Sequence, residues 1–144
     1  MIVTFFGHRD THGHISPVLE TLLVELIEDY GADKFYVGDN GNFDRLVCMV
    51  LRRLKKAYPD IDYAVVLPEI PQTKREYPDE QTVVPDGMEY TPREYRIARR
   101  NRWMVNKSDV VITYVLRKYG GAATYKRYAE EMGKRVINLP ELDL

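Results

Sequence analysis

Apolar residues along this chain fall into short runs and into longer stretches with helical spacing, and the two kinds alternate. Ile2 to Phe6 is a short apolar run that stops at Gly7, as a strand buried on both faces would. Ser16-Pro17 follows, with Ser16 expected as N-cap and Pro17 at the first helical position. Leu19, Leu22, Leu23, Leu26 and Ile27 then recur at helical spacing. The unit repeats. Lys34 to Val37 ends at Gly38-Asp39-Asn40-Gly41, and Asn42 is the expected cap of a second helix carrying Phe43, Leu46, Val47, Val50, Leu51 and Leu54. Ile61 to Leu67, Val110 to Val115 and Val136 to Leu139 read as further strands, with a helix between the last two starting near Gly121. Strands alternating with helices predict a single α/β domain over residues 1–144, a Rossmann-like three-layer sandwich with a mainly parallel sheet of about five strands.

Pro68 to Pro92 interrupts this rhythm, holding five of the eight prolines and no periodicity. So long an irregular segment in a compact domain usually has a binding or lid function. It ends where Thr91, Pro92 and Glu94 predict a capping box opening a helix that runs to about Asn106. On that helix Ile97, Ala98, Met104 and Val105 share a face, with Asn101 at the centre of the stripe and Arg100 on its flank. Arg93, Arg96, Arg99 and Arg102 read as a solvated face.

In an open parallel sheet, ligands bind beyond the carboxyl ends of the strands, where strand order reverses. The residues least like core fall in that layer. They are Gly7, His8, Arg9 and Asp10 after the first strand, Gly38, Asp39, Gly41 and Asp44 after the second, and Tyr119 to Thr124 after the fourth. Gly120 and Gly121 ahead of a helix would let backbone N–H groups approach an anion such as phosphate, with Thr124 nearby. The ligand-binding candidates are therefore Gly7, His8, Arg9, Gly38, Asp39, Gly41, Arg100, Asn101, Gly120, Gly121 and Thr124. Tyr77, Tyr90 and Tyr119 are candidates to stack a base.

Composition narrows the partners. Lys and Arg total 21 against 22 Asp and Glu, a net charge of −1, which argues against duplex nucleic acid as the target. No stretch reaches the length of a membrane span, and the first residues lack the pattern of a secretory signal. The lone Cys48 cannot form an internal disulfide. A cytoplasmic setting, with Cys48 as a packing residue, is expected. His8, His12 and His14 with Asp10 invite a metal, and Asp10-Thr11-His12-Gly13-His14 resembles the opening motif of calcineurin-like metallophosphoesterases. The later histidines of that pattern are absent, since none occurs after residue 14, and no metal or other cofactor is assigned.

The ordered series Phe6-Gly7-His8-Arg9, Phe35 to Asp44, Tyr77-Pro78, Pro85 to Glu89, Arg99 to Met104, Ser108-Asp109 and Tyr119 to Ala123 is similar to the SLOG superfamily. That Rossmann-like group includes the LOG nucleotide phosphoribohydrolases and a domain of DNA-processing protein A, and the series looks most like a bacterial and phage branch of it. The resemblance implies a nucleotide-derived small molecule held by the glycine loops. It also implies a homodimer, for which an exposed Trp103 would be a contact. Arg100, four residues before Met104, matches an arginine of the LOG enzymes, and Gly120, Gly121 and Thr124 match their glycine motif. Ala123 replaces the third glycine, and Arg127 occupies the place of the catalytic Glu, which removes the group on which LOG-type hydrolysis depends. Asp39, Asp44 and Glu89 are the acids that could substitute, with Arg100 as a fourth catalytic candidate. Three readings result: a sensor or binding domain for a nucleotide derivative, a hydrolase or transferase acting on nucleotides at an N-glycosidic bond, and, behind these, a metal-dependent phosphoesterase.

Overall fold

A computed structural model describes residues 1–71, 77 and 80–142. The first apolar run forms β1 (Ile2–Gly7), followed by α1 (Ser16–Tyr30), β2 (Lys34–Val37), α2 (Asn42–Ala57), β3 (Asp62–Val66) and β4 (Thr82–Val83). The chain continues through α3 (Arg93–Lys107), β5 (Val110–Tyr114), α4 (Gly121–Glu131) and β6 (Arg135–Asn138). Six strands form one sheet in the order β4-β3-β2-β1-β5-β6, and every pairing is parallel. Helices cover both faces, so the fold is a Rossmann-like three-layer sandwich. Among the described residues no helix is long and apolar enough to cross a membrane.

Strand alternation divides the core in two. Val3, Phe5, Phe35, Val37, Val110 and Ile112 face Leu19, Leu23 and Leu26 of α1 and Val47, Val50 and Leu51 of α2. Phe6, Val66 and Val111 face the other way, against Met104 and Val105 of α3 and Ala129 of α4. Thr4, buried in the central strand, satisfies its hydroxyl by donating to the Tyr36 carbonyl at 2.8 Å.

Several sequence expectations need correction. The sheet has six strands rather than five, because Thr82–Val83 pairs with β3 inside the proline-rich interval. Those two residues are too few to carry a period. The unpaired edge of β3 recruits them, Val65 and Leu67 donating to the Gln81 and Val83 carbonyls at 2.8 Å each. Residues 72–76 of that interval, and Pro78, lie outside the described residues. Ser16 is not a cap but the first residue of α1, since a 3₁₀ turn over Gly13–Ile15 leads directly into the helix. Asn42 likewise lies inside α2, and the cap position belongs to Gly41. The capping box at Thr91 does not form. The Thr91 hydroxyl donates to the Gly87 carbonyl at 3.1 Å, and α3 starts without a side-chain cap. Arg93, Arg99 and Arg102 are exposed as expected, but Arg96 is half-buried and reaches the Thr91 carbonyl and Glu69, while Arg99 also reaches the Thr91 hydroxyl and the Asp86 carbonyl. Trp103 is half-buried rather than exposed, edge-on to Tyr36 with ring centres 4.9 Å apart.

Candidate functional site

From β1 the chain proceeds to β2, β3 and β4 on one side, and from β5 it turns to β6 on the other. The loops leaving β1 and β5 therefore part, and a cleft opens between them at the carboxyl edge. The cleft measures about 290 Å³, near the lower end of small-molecule sites at roughly 300–1,000 Å³. Its lining includes Gly7, His8, Arg9 and Asp10 after β1, Gly38, Asn40 and Asp44 after β2, Arg100, Asn101 and Met104 of α3, and Arg117, Gly120, Gly121 and Ala122 before and within α4.

Three loops are locked together around it. Gly41 has φ +97°, and a Cβ there would meet the Arg9 backbone at 2.7 Å, so only glycine suits this approach. Asn42 N–H donates to the Arg9 carbonyl at 2.9 Å. On the opposite wall His8 is buried, and its Nε2 accepts the N–H groups of Leu116 at 2.9 Å and Arg117 at 3.4 Å. The ring is thus neutral, with its proton on Nδ1. Burial holds the His8 pKa below the usual imidazole value; the Arg117 charge adds to this and Asp10 opposes it. His8 is accordingly a loop pin. Its accepting nitrogen is engaged by backbone, His12 and His14 are exposed with rings 6.1 Å apart, and no group of three potential metal-ligating side chains converges among the described residues.

Arg100 is the main charged group of the floor. Its residue is only 2% exposed. Nη1 pairs with Asp39 Oδ1 and donates to the Val66 carbonyl at 3.0 Å, and Nε donates to Asn101 Oδ1 at 2.8 Å. Nη2 has no hydrogen-bond partner among the described residues. Burial on α3 thus centres on Arg100, Met104 and Val105, not on Asn101 as the helical spacing suggested. Ile97 is 52% exposed, so the apolar stripe does not lie flush against the sheet.

Asp44 faces this arginine from α2. Its Oδ2 accepts the Asn40 N–H at 2.9 Å, and Oδ1 has no partner among the described residues. Gly38 leaves room for it, since a Cβ there would stand 2.8 Å from Asp44 Oδ2 and 3.8 Å from Arg100 Cζ. Burial pushes the Asp44 carboxyl up to about 7, with Asp39 reinforcing the shift and the Asn40 N–H and Arg100 opposing it. A carboxyl poised near neutrality can donate, accept or exchange a proton.

The roof is the start of α4. Gly120 takes φ +96° at the cap, and no side chain caps the helix, so its first N–H groups remain available to an anion. Arg117, which sequence reasoning missed, stands beside it. The signal was faint, a cation pair, Arg117-Lys118, directly ahead of Tyr119-Gly120. Its Nη1 and Nη2 donate to Asp10 at 3.2 Å each, which keeps the Asp10 carboxyl below its usual pKa. Arg117 Nε is buried without a partner among the described residues.

Not every candidate reaches the cleft. A second cavity of about 380 Å³ adjoins it and includes Gly38, Asp39, Gly41, Asp44, Arg45, Cys48, Met49, Arg52 and Tyr77. Asp39 and Gly41 thus belong to that side. Burial pushes the Cys48 thiol up to about 12, in keeping with a packing residue. Glu89 is exposed and lines a third cavity beside Arg96, so it is not brought to the crevice. Thr124 is spent within α4, its hydroxyl donating to the Gly120 carbonyl at 3.0 Å. Arg127 donates to the Lys118 carbonyl at 3.1 Å and steadies the loop from outside. Tyr90 is exposed and away from the cleft, while Tyr119 lies beside Arg117, its ring centre 5.8 Å from Cζ. No protein-family model and no curated protein matches the chain.

Proposed function

We propose that the chain binds a nucleotide-derived, phosphate-bearing small molecule in the cleft at the carboxyl edge of the sheet, as a sensor or ligand-binding domain of the SLOG type. The observation carrying this reading is the uncapped glycine start of α4 facing the same cleft as Arg9, Arg117 and the spare Nη2 of Arg100. These are fixed N–H donors and positive charge around a space that would hold a phosphate group. The near-zero net charge suits a small anion better than a polyanion. A lone, half-buried cysteine accords with a reducing, cytoplasmic setting.

Gly121→Glu tests the reading with a built-in control. A carboxylate in the first turn of α4 improves helix electrostatics by about 0.3–1 kcal/mol, so folding should be unchanged or slightly favoured. The same carboxylate would occupy the phosphate position. Thermal shift with nucleoside monophosphates, ADP-ribose and NAD should then show stabilisation of the wild type, about 2.7 kcal/mol at 100 times Kd, and none of the variant. Failure of every nucleotide to stabilise the wild type at millimolar concentration would overturn the proposal.

One observation favours a second reading, cleavage or transfer at an N-glycosidic bond. Of the three acids that could replace the missing Glu, Asp44 alone lines the first cleft, and burial moves its carboxyl to about 7. A general acid there would protonate the departing base. Release of free base from nucleoside monophosphates, followed by mass spectrometry, should fall about 100-fold in Asp44→Asn. Turnover that survives the substitution rules this role out.

A further inference from the structure

We propose that the cleft takes up its anion together with one proton from solvent, and that Asp44 carries this proton on Oδ1 and donates it in a hydrogen bond to the bound group. The inference rests on the anion-binding reading above and adds how that site responds to pH. Asp44 lines the cleft from the first turn of α2, and with Asp39 it forms the rim toward the second cavity. One of its oxygens is committed and the other is not. Oδ2 accepts the Asn40 N–H at 2.9 Å. The proton of the neutral form therefore belongs on Oδ1, which has no partner among the described residues.

The surroundings set the sign of the coupling. An anion held by the start of α4, Arg9 and Arg117 lies in the same cleft as this carboxyl. With Asp44 ionised, two negative charges share a space of about 290 Å³, where they repel more strongly than in water. Arg100 offsets only part of this, because it is already paired with Asp39. With Asp44 neutral, the repulsion gives way to an O–H···O⁻ hydrogen bond, one of the stronger kinds. Burial places the Asp44 carboxyl at about 7, so it changes protonation in the neutral range, and a neighbouring anion moves it further up. The other titratable groups around the cleft do not compete there. His8, on the β1 loop, is held below the usual imidazole value and has its Nε2 engaged. Cys48, one turn along α2, is kept protonated by burial, and Arg117 keeps Asp10 ionised.

The experiment titrates the wild type and Asp44→Asn with sulfate and with adenosine 5′-monophosphate by calorimetry at pH 6, 7 and 8. Each titration is run in two buffers of different ionisation heat, which counts the protons taken up per anion. Sulfate holds no proton in this range, so any uptake falls on the protein; for the nucleotide, the difference between the two proteins isolates it. With sulfate the wild type should take up about 0.1 proton at pH 6, about 0.5 at pH 7 and about 0.9 at pH 8, and bind about tenfold more weakly at pH 8 than at pH 6. Asp44→Asn retains an acceptor for the Asn40 N–H and offers the anion an amide N–H. It should take up no proton at pH 8 and bind there about as tightly as the wild type does at pH 6. Equal proton uptake by the two proteins, or equal loss of affinity with pH, overturns the coupling while leaving anion binding standing. Absence of wild-type binding by both anions overturns both readings. Should the variant alone fail to bind, the wild type decides. Uptake that grows toward pH 8 supports the assignment to Asp44, and uptake that is flat or grows toward acid, as protonation of His8 would give, refutes it.

Discussion

Asp44→Asn is expected to stabilise the protein, by an amount that grows with pH. The folded carboxyl titrates near 7 and the unfolded one near 3.8. Between those values the folded state keeps a proton that the unfolded state has released, so wild-type stability falls as pH rises through the window. At about 1.4 kcal/mol per pH unit the full difference approaches roughly 4 kcal/mol above pH 7. At pH 4 most of the effect is gone, and well below 3.8 both states are protonated and it disappears. Asparagine does not titrate, yet its side-chain oxygen can still accept the Asn40 N–H. Urea denaturation of both proteins at pH 4, 5, 6, 7 and 8 should therefore give curves that coincide in acid and diverge toward neutrality. Curves that stay parallel would mean the carboxyl is ionised as usual. His8 has the opposite sign. Its lowered pKa contributes stability that is present above 6.5 and is lost as pH falls below it, so acid destabilisation common to both proteins should be subtracted by taking their difference.

Arg100→Ala should be the most damaging single change on the floor of the cleft. The side chain is 3% exposed, and its removal strips Asp39 of its cation, the Val66 carbonyl of a donor and Asn101 Oδ1 of a donor. Loss of one member of a buried pair costs about 3–5 kcal/mol. Arg117→Ala offers the contrast, because the Asp10–Arg117 pair is largely exposed, and solvent screening leaves such a pair little weight in stability. Arg100→Lys should recover part of the loss, since an ammonium can meet one acceptor but cannot reproduce the planar fork. Chemical denaturation at pH 7 measures all three. A cost below about 1 kcal/mol for Arg100→Ala would mean that water replaces the guanidinium without penalty, and the floor would not be dry.

The alternation of strand and helix was legible because every buried strand had to be apolar and every helix had to present one apolar face. The bounds of β2 coincide with expectation, and those of β1, β3, β5 and β6 differ by a residue or two. The site was legible as a layer, since Gly7, His8, Arg9, Gly38, Asp44, Arg100, Asn101, Gly120 and Gly121 do meet in one cleft. What escaped was whatever depends on a distant partner. β4 exists because β3 has an edge to satisfy, and nothing local to Thr82–Val83 announces it. Asn101 seemed central because a helical wheel cannot tell where a helix leaves its sheet. A displacement of one residue, about 100° of arc, was enough to put Arg100 beneath the surface instead. Arg117 was invisible because its meaning comes from Asp10, 107 positions away. The Ser16, Asn42 and Thr91 caps failed on local detail: a 3₁₀ turn leads into α1, Gly41 takes the cap position of α2, and the Thr91 hydroxyl is turned to the Gly87 carbonyl.

The central position of β1 has a kinetic consequence. It pairs with β5, whose Val110 lies opposite Val3, so the middle of the sheet closes only after a loop of more than a hundred residues has been brought together. The cleft inherits this delay, because its walls are the two segments on either side of that closure. Loop-closure entropy must be met before the contacts that reward it form. A chain arrested with β1 to β4 assembled would possess the Asp39–Asp44 rim but no cleft, and ligand capture would report completion of the final long-range pairing rather than formation of the individual helices.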